Sequence, residues 1–269
     1  MSSSTHQEQY SHQEQYNILA RVLNKMYQVE YSKENWELLY KPLMHNLFLQ
    51  YIPEKARILD LGCGSGQLAN HLIKSGYQVT GIDISDQFLV YARQNAPGGE
   101  FIQGDLRDIE YSPTFNGIFS KGALMVMMSL EKLEDVLSIV YGALLDNGIF
   151  LFDVRREETV KSWGTSLADA EIKTLTIEDD YIWICRSTYD PEKKIMHNFF
   201  TVFELVNEQW LRADTNFQGK VFSTEEIKTS LEKVGFTKIE IYQEGKDLGF
   251  DGVMDRSIFV CRKPAIVSV

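Results

Sequence analysis

Asp60, Gly62, Gly64 and Gly66 occupy every second position of the stretch ILDLGCGSG, residues 58–66. An apolar run that ends in an acid and then breaks into glycines reads as a strand entering a bend. Backbone without side chains permits left-handed turns and lets a ligand sit against main-chain N–H groups. Three uses compete for it. The glycines could simply allow a sharp turn, although one would usually suffice. Gly64, Gly66 and Ala69 satisfy the dinucleotide pattern G-x-G-x-x-G/A. Read one turn earlier, Asp60-x-Gly62-x-Gly64-x-Gly66 puts an anionic group directly beneath the bend. Two further acids follow, Asp83 in VTGID and Asp105 in FIQGDLRDI. The first lies about 20 residues past the bend, where dinucleotide folds grip ribose hydroxyls.

A scaffold must bring these groups together. The 269 residues suit a single α/β domain carrying an insertion. The net charge of −11 argues against an electrostatic grip on nucleic acid or an anionic membrane and favours a small-molecule partner. Cys63, Cys185 and Cys261 are odd in number and lack metal-ligand spacing, so reduced thiols in a cytoplasmic protein are expected. The polar start, with HQEQY at 6–10 and again at 12–16, has no apolar region of the kind a signal peptide needs. It reads as a disordered tail, with a metal site on His6 and His12 as the sharper alternative.

Apolar residues at three- and four-residue spacing (Ile18, Val22, Met26, then Trp36, Leu39, Leu43, Leu47) predict two or three helices before the first strand. From ARILDL to IFLFDV, strands alternate with helices. The first helix runs from Gln67 to Ser75, the second is capped by Ser85, and the third, LEKLEDVLSIVYGALLDNG, stops at Gly148. Such alternation gives a parallel sheet covered on both faces. After Val154 the period changes to two, with turn signals at Asp179-Asp180 and Asp190-Pro191, which predicts an inserted antiparallel sheet of three or four strands. Ser223 with Glu226 forms a capping box for a last helix ended by Gly235, and TKIEIYQ and RSIFVCRK should pair antiparallel. The expected division is a tail at 1–15, N-terminal helices at 16–54 and an α/β core at 55–154. The insertion takes 155–222, and a helix and hairpin at 223–269 complete the core.

ILDLGCGSG with its later acids resembles the first motif of class I S-adenosylmethionine-dependent methyltransferases, strongly over 56–154 and moderately over 223–264. The resemblance implies a Rossmann-like doubly wound α/β sheet of seven strands, the last antiparallel beside the fifth. It implies S-adenosyl-L-methionine as cofactor and S-adenosyl-L-homocysteine as product. Asp60, Gly62, Cys63, Gly64 and Gly66 would surround the methionine end. Asp83 and Ile84 would take the ribose, Asp105 and Leu106 the adenine, and Ser120 would line the methionine moiety mostly through backbone. Tyr27, Tyr31 and Trp36 resemble aromatic residues that close the cofactor from the N-terminal side, although Leu23-Asn24 stands where many relatives carry Tyr-Asp. Electrostatics agrees, because an acid below the loop would oppose a pyrophosphate but suits an ammonium and a sulfonium.

Methyl transfer from a sulfonium is an in-line displacement in which positioning and water exclusion do most of the work. A base is needed only for an acceptor that arrives protonated. Ligands of doubly wound sheets lie beyond the carboxyl ends of the strands, which puts Lys121, Asp153 and Arg155 at the mouth and the insertion over it. The family includes members with such β lids, so an N or O nucleophile on a small metabolite or natural product is the expected acceptor. His197 is the candidate base, because imidazole titrates near neutrality. Asp153 could hold an acceptor ammonium or pair with Arg155 or Arg156. Met125, Met127 and Met128 are expected mainly in core packing. A monomer or homodimer without metal is expected. A non-catalytic S-adenosylmethionine-binding module and a nucleotide-dependent oxidoreductase are the alternatives.

Overall fold

The computed structural model describes residues 11–170, 172–248 and 256–265. In chain order the elements begin with α1 (His12–Glu30), α2 (Lys33–Asn35), a π-helical turn (Trp36–Tyr40) and α3 (Lys41–Leu47). The core follows as β1 (Arg57–Leu61), α4 (Gln67–Lys74), β2 (Gln78–Asp83), α5 (Asp86–Asn95), β3 (Glu100–Gln103), β4 (Phe115–Ser120), α6 (Leu130–Ala143) and β5 (Leu144–Arg155). After α7 (Glu157–Val160) come β6 (Ile172–Ile177), β7 (Tyr181–Asp190), β8 (Ile195–Val206) and β9 (Gln209–Lys220). The chain closes with α8 (Thr224–Val234), β10 (Thr237–Gln243), α9 (Glu244–Leu248) and β11 (Arg256–Arg262).

Seven strands form one sheet in the order β10-β11-β5-β4-β1-β2-β3. β11 runs antiparallel to both its neighbours and the rest are parallel. The expected sheet is therefore present, with its last strand reversed beside the fifth. Alternation along the buried strands sends side chains to two cores. Leu59, Leu61, Phe150, Phe152 and Phe259 pack with α6 and α8, and Ile58, Phe119, Leu151 and Val260 pack with α3, α4 and α5. Strand order reverses between β1 and β4, so the connections that leave their carboxyl ends run to opposite faces of the sheet, the arrangement that leaves a crevice at the Leu61 and Ser120 edge.

Two boundaries differ from expectation. α1 starts at His12, inside the stretch expected as a tail, because Ser11 and Glu14 form a capping box that satisfies exposed N–H groups of the first turn. The first HQEQY copy, with His6, lies outside the described residues. α6 ends at Ala143 rather than Gly148: β5 begins at Leu144, and a bulge with Asn147 at φ +63° separates its pairings to Phe115 and Gly117.

The insertion is a four-stranded antiparallel sheet, β6-β7-β8-β9. Its inner face splits between two supports. Trp183, Cys185, Val202 and Phe217 pack against Leu19 and Val22 of α1, while Tyr189, Met196 and Val221 pack with Val160, Trp163 and Met125. Of the three methionines, Met127 is buried in the core, Met125 packs beside the insertion, and Met128 is exposed. The second support is tight. Lys220 N donates to Met127 O at 3.0 Å, and a Cβ on Gly219 would lie 1.8 Å from Met125 O. Gly219→Ala is accordingly expected to lower the unfolding free energy by about 1–3 kcal/mol through overpacking. Urea denaturation checks this, and an unchanged midpoint would mean that the insertion does not press on the core there.

Candidate functional site

The bend sits at the carboxyl end of β1 and is held by the end of β2. Gly62 N and Cys63 N both donate to Ile82 O, at 2.8 and 3.0 Å. Gly64 N donates to one carboxylate oxygen of Asp83 and Ser85 N to the other, each at 2.9 Å. All three glycines have positive φ, +76°, +52° and +78°, a region L side chains rarely enter. They are not equivalent, however. A Cβ on Gly62 would meet Ala123 Cβ at 2.5 Å, and one on Gly66 would meet Ala92 Cα at 2.9 Å. On Gly64 the nearest atom would be a ring carbon of Tyr27 at 3.5 Å, which is ordinary contact. Gly62 and Gly66 are therefore spent on packing. Gly64 faces the Tyr27 ring instead.

Two acids lie beneath this bend. Asp60 is buried, and its Oδ2 has no hydrogen-bond partner among the described residues. Burial, and then the charge of Asp83, push its carboxyl well above the usual range. Burial also pushes Asp83 up to about 6, against the pull of the Ser85, Gly64 and Ile84 N–H groups. An orphaned buried acceptor next to a second carboxylate is the environment a cationic ligand would relieve.

α1 crosses over the bend and is tied down along its length. Asn17 donates to Asp86 at 2.8 Å and accepts from Ser85 Oγ at 2.6 Å. Asn24 Oδ1 accepts from Gln67 of α4 and Asn95 of α5, both at 2.9 Å. Asn24 thus clamps the two helices that flank the bend, a role the sequence comparison with Tyr-Asp did not suggest. Tyr27 covers Gly64, and Tyr31 is buried with its hydroxyl 2.7 Å from Lys121 Nζ. Trp36 goes elsewhere. It stacks on His71 of α4 with ring centroids 4.3 Å apart and belongs to the packed face of the sheet.

The other expected cofactor residues spread around the same edge. Ser120 Oγ donates to Leu61 O at 3.0 Å, tying β4 to β1 at the crevice. The Cys63 thiol is held well above its usual range by burial. Ile84 is half-buried and its carbonyl accepts from Gln103. Asp105 follows β3 and is bound by Arg107, whose guanidinium holds the carboxyl below the usual range. Leu106 packs beside the core.

A second group of charges lines the carboxyl ends of β4, β5 and β10. Lys121 is paired with Glu30, which also accepts from Tyr40 OH at 2.8 Å. Its ammonium lies 4.8 Å from the ring centroids of both Tyr31 and Tyr40. Asp153 accepts from Gly122 N and is paired with Arg256. The partner is therefore neither Arg155 nor Arg156 but a residue of the reversed strand, because β11 runs beside β5 with Arg256 opposite Arg155. Burial, with the charge of Arg256, pushes Arg155 down to about 10. Glu30, Arg256 and Glu244 of this group were not recognised in the sequence, since only tertiary pairing brings them together.

His197 is not brought to either group. It pairs in register with Thr188 and Gln218, and its neighbour Met196 is the residue that turns to the packed inner face. Successive strand residues point to opposite faces, so the imidazole stands on the other side of the insertion. It lies in the fields of Asp190 and Lys193, its pKa lowered chiefly by burial.

A family model described as "Methyltransferase domain" matches residues 58–148. A ubiquinone biosynthesis O-methyltransferase of Vibrio parahaemolyticus serotype O3:K6 (strain RIMD 2210633) is 32% identical over 184 residues, covering 62% of this chain and 73% of that protein. Among solved structures, an S-adenosylmethionine-dependent methyltransferase from Clostridium acetobutylicum ATCC 824 aligns with a TM-score of 0.72 at 15% identity, over 93% of this chain and 99% of that one. The S-adenosylmethionine-bound CalS10, an amino pentose methyltransferase from Micromonospora echinaspora, aligns at 0.66 and 18% identity, over 90% and 96%. At such identities the structural matches speak for the fold.

The glycines generate a prediction that separates packing from binding. Gly62→Ala and Gly64→Ala should both bear a backbone penalty of roughly 1–2 kcal/mol. Only Gly62→Ala should add an overpacking penalty of about 1–3 kcal/mol. Paired urea melts test it; equal losses would contradict the distinct roles.

Proposed function

The chain belongs to the class I S-adenosylmethionine-dependent methyltransferases, and from that premise we propose that the glycine bend holds S-adenosyl-L-methionine while a small molecule is methylated at a nitrogen or oxygen atom beside Lys121 and Asp153. The observation that carries this reading is the unpartnered Oδ2 of buried Asp60 below Gly64. A pyrophosphate would be repelled there, whereas a ligand bearing ammonium and sulfonium charges would pair with it. This also disfavours a nucleotide-dependent oxidoreductase.

When bound, the cofactor supplies an electrophilic methyl group and its own leaving group. The protein's part is positional. Asp60 would neutralise the methionine end, and Gly64 would leave room for it. Asp83 would accept from the ribose while remaining tied to the bend. Asp105 and Leu106 would bracket the adenine, with Asp105 oriented by Arg107. Tyr27 and Tyr31 would exclude water. A small acceptor suits a buried mouth roofed by α1 and lined with paired charges rather than an open basic surface, and among the described residues no helix is long and apolar enough to cross a membrane. O-methylation by the Vibrio relative and the amino pentose of CalS10 both lie within this acceptor class.

The titration of the two acids gives a signed prediction. Burial, and then the charge of Asp83, hold the Asp60 carboxyl above the usual carboxylate range in the free protein, and a cation paired with it would pull it back down. Over the pH range in which Asp60 titrates, cation binding would therefore release protons, and the calorimetric enthalpy of cofactor binding there should vary with the buffer's ionisation enthalpy. Asp60→Asn should abolish that dependence and weaken binding about 10–100-fold, the scale of one charged hydrogen bond. Asp83 accepts fully only as a carboxylate, so affinity should fall as pH drops through about 6. Tight NAD binding with no response to S-adenosylmethionine or its demethylated product would reject the assignment.

A further inference from the structure

Two carboxylates at the carboxyl edge of the main sheet each have a buried oxygen with no hydrogen-bond partner among the described residues: Asp60 Oδ2 and Glu244 Oε2. The first has a use in the reading above. Glu244 does not, and it occupies a telling place. β10 pairs antiparallel with β11, which is itself antiparallel to β5, so β10 ends at the same edge as β5. Glu244 follows that end directly. It stands in the fields of Arg256 on β11, Asp153 on β5 and Lys121 just beyond β4, and it accepts from the Arg256 backbone N–H. The other acids of this group are engaged. Asp153 is held by Arg256 and Gly122 N, and Glu30 by Lys121 and Tyr40. Glu204, which also has an oxygen without a partner, lies on the insertion and is paired with Arg21 through its other oxygen.

We infer that Glu244 is the general base of the reaction, taking the proton from an acceptor that arrives with an N–H or O–H bond. The inference rests on the methyltransferase reading and names its substrate class: amines, phenols or alcohols, as opposed to carboxylates that arrive already ionised. As the acceptor lone pair forms the new bond to the methyl carbon, the carbon–sulfur bond breaks and its electron pair stays on sulfur, leaving a neutral thioether. The acceptor's proton passes to the Glu244 carboxylate and then to solvent, so charge balances over the cycle. Burial, opposed by Arg256 and Lys121 and aided by Asp153, holds the Glu244 carboxyl above the usual carboxylate range. A base with a raised pKa is stronger, yet is still deprotonated once pH exceeds that value.

Glu244→Gln in the full chain tests this with three acceptor probes, a catechol, a primary amino sugar and an alkyl carboxylate, and methyl-labelled S-adenosylmethionine as donor. The expected result is transfer to the catechol or the amine, with kcat lowered at least about 100-fold in the variant and donor affinity by calorimetry unchanged. The wild-type kcat/KM should rise with pH along an acid limb that the variant lacks, and Glu244→Asp should restore part of the rate. Transfer to the carboxylate alone or to none of the three, or a Gln variant that keeps both rate and acid limb, would overturn the role. A second readout needs no acceptor. Only one Glu244 oxygen lacks a partner among the described residues, and the amide of the variant can still accept from the Arg256 N–H, so the variant's Tm should hold or rise, whereas a fall of more than about 4 °C would assign Glu244 to structure instead. Loss of donor binding in wild type as well would overturn the cofactor assignment and this role together, while intact donor binding with an unaffected Gln variant overturns this role alone.

Discussion

Two carboxylates held close together away from water are the constraint around which this molecule is arranged. Asp60 stands in the field of Asp83 across the ends of β1 and β2, with hydrogen bonds from backbone N–H groups to Asp83 and an unpartnered oxygen on Asp60. Such a pair is unfavourable in isolation, since burial and like charge both penalise ionisation. Here the parallel sheet makes it unavoidable. Asp60 lies one residue before the end of β1 and Asp83 ends β2, both strands mostly buried, and the loop that could shield the acids is rich in glycine. Stability is given up at the point where the proposed function places a cation.

The surroundings follow from that arrangement. Gly62 and Gly66 let Ala123 and Ala92 close in from either side, which fixes the bend and leaves Gly64 as the opening. α1 then passes over the opening, held to α5 through Asn17, to α4 and α5 through Asn24, and to Lys121 through Glu30 and Tyr31. The antiparallel sheet leans on the same helix through Leu19 and Val22. Ion pairs from Arg21 and Lys25 to Asp180, and from Arg21 to Glu204, border that contact, but they are half exposed and contribute little beside the apolar seam.

Much of this was legible in the sequence where a local rule governed the residues. The alternation of strands and helices, the capping box at Ser223, the Ser85 cap and the change of period after Val154 all act within a few residues of themselves, and each stands where it was read. So did the bend, because glycines at alternate positions have few other uses. What escaped the sequence was set by tertiary register. Asp153 meets Arg256, 103 residues away, because the last strand slides in between β10 and β5. His197 looked apt by chemistry alone, yet the pleat of β8 turns Met196 inward and the imidazole outward. Trp36 and Tyr27 were equivalent as aromatic residues on a helical stretch. Only the path of the chain past the π-helical turn directs one to His71 and the other to Gly64.

The placement of α1 has a kinetic consequence. One helix covers Gly64 through Tyr27 and buttresses the inserted sheet through Leu19 and Val22, so a displacement of the helix that uncovered the bend would loosen the sheet's footing as well. Opening becomes a single concerted event. Access to the bend would then follow the motion of a nineteen-residue rod rather than that of a short loop.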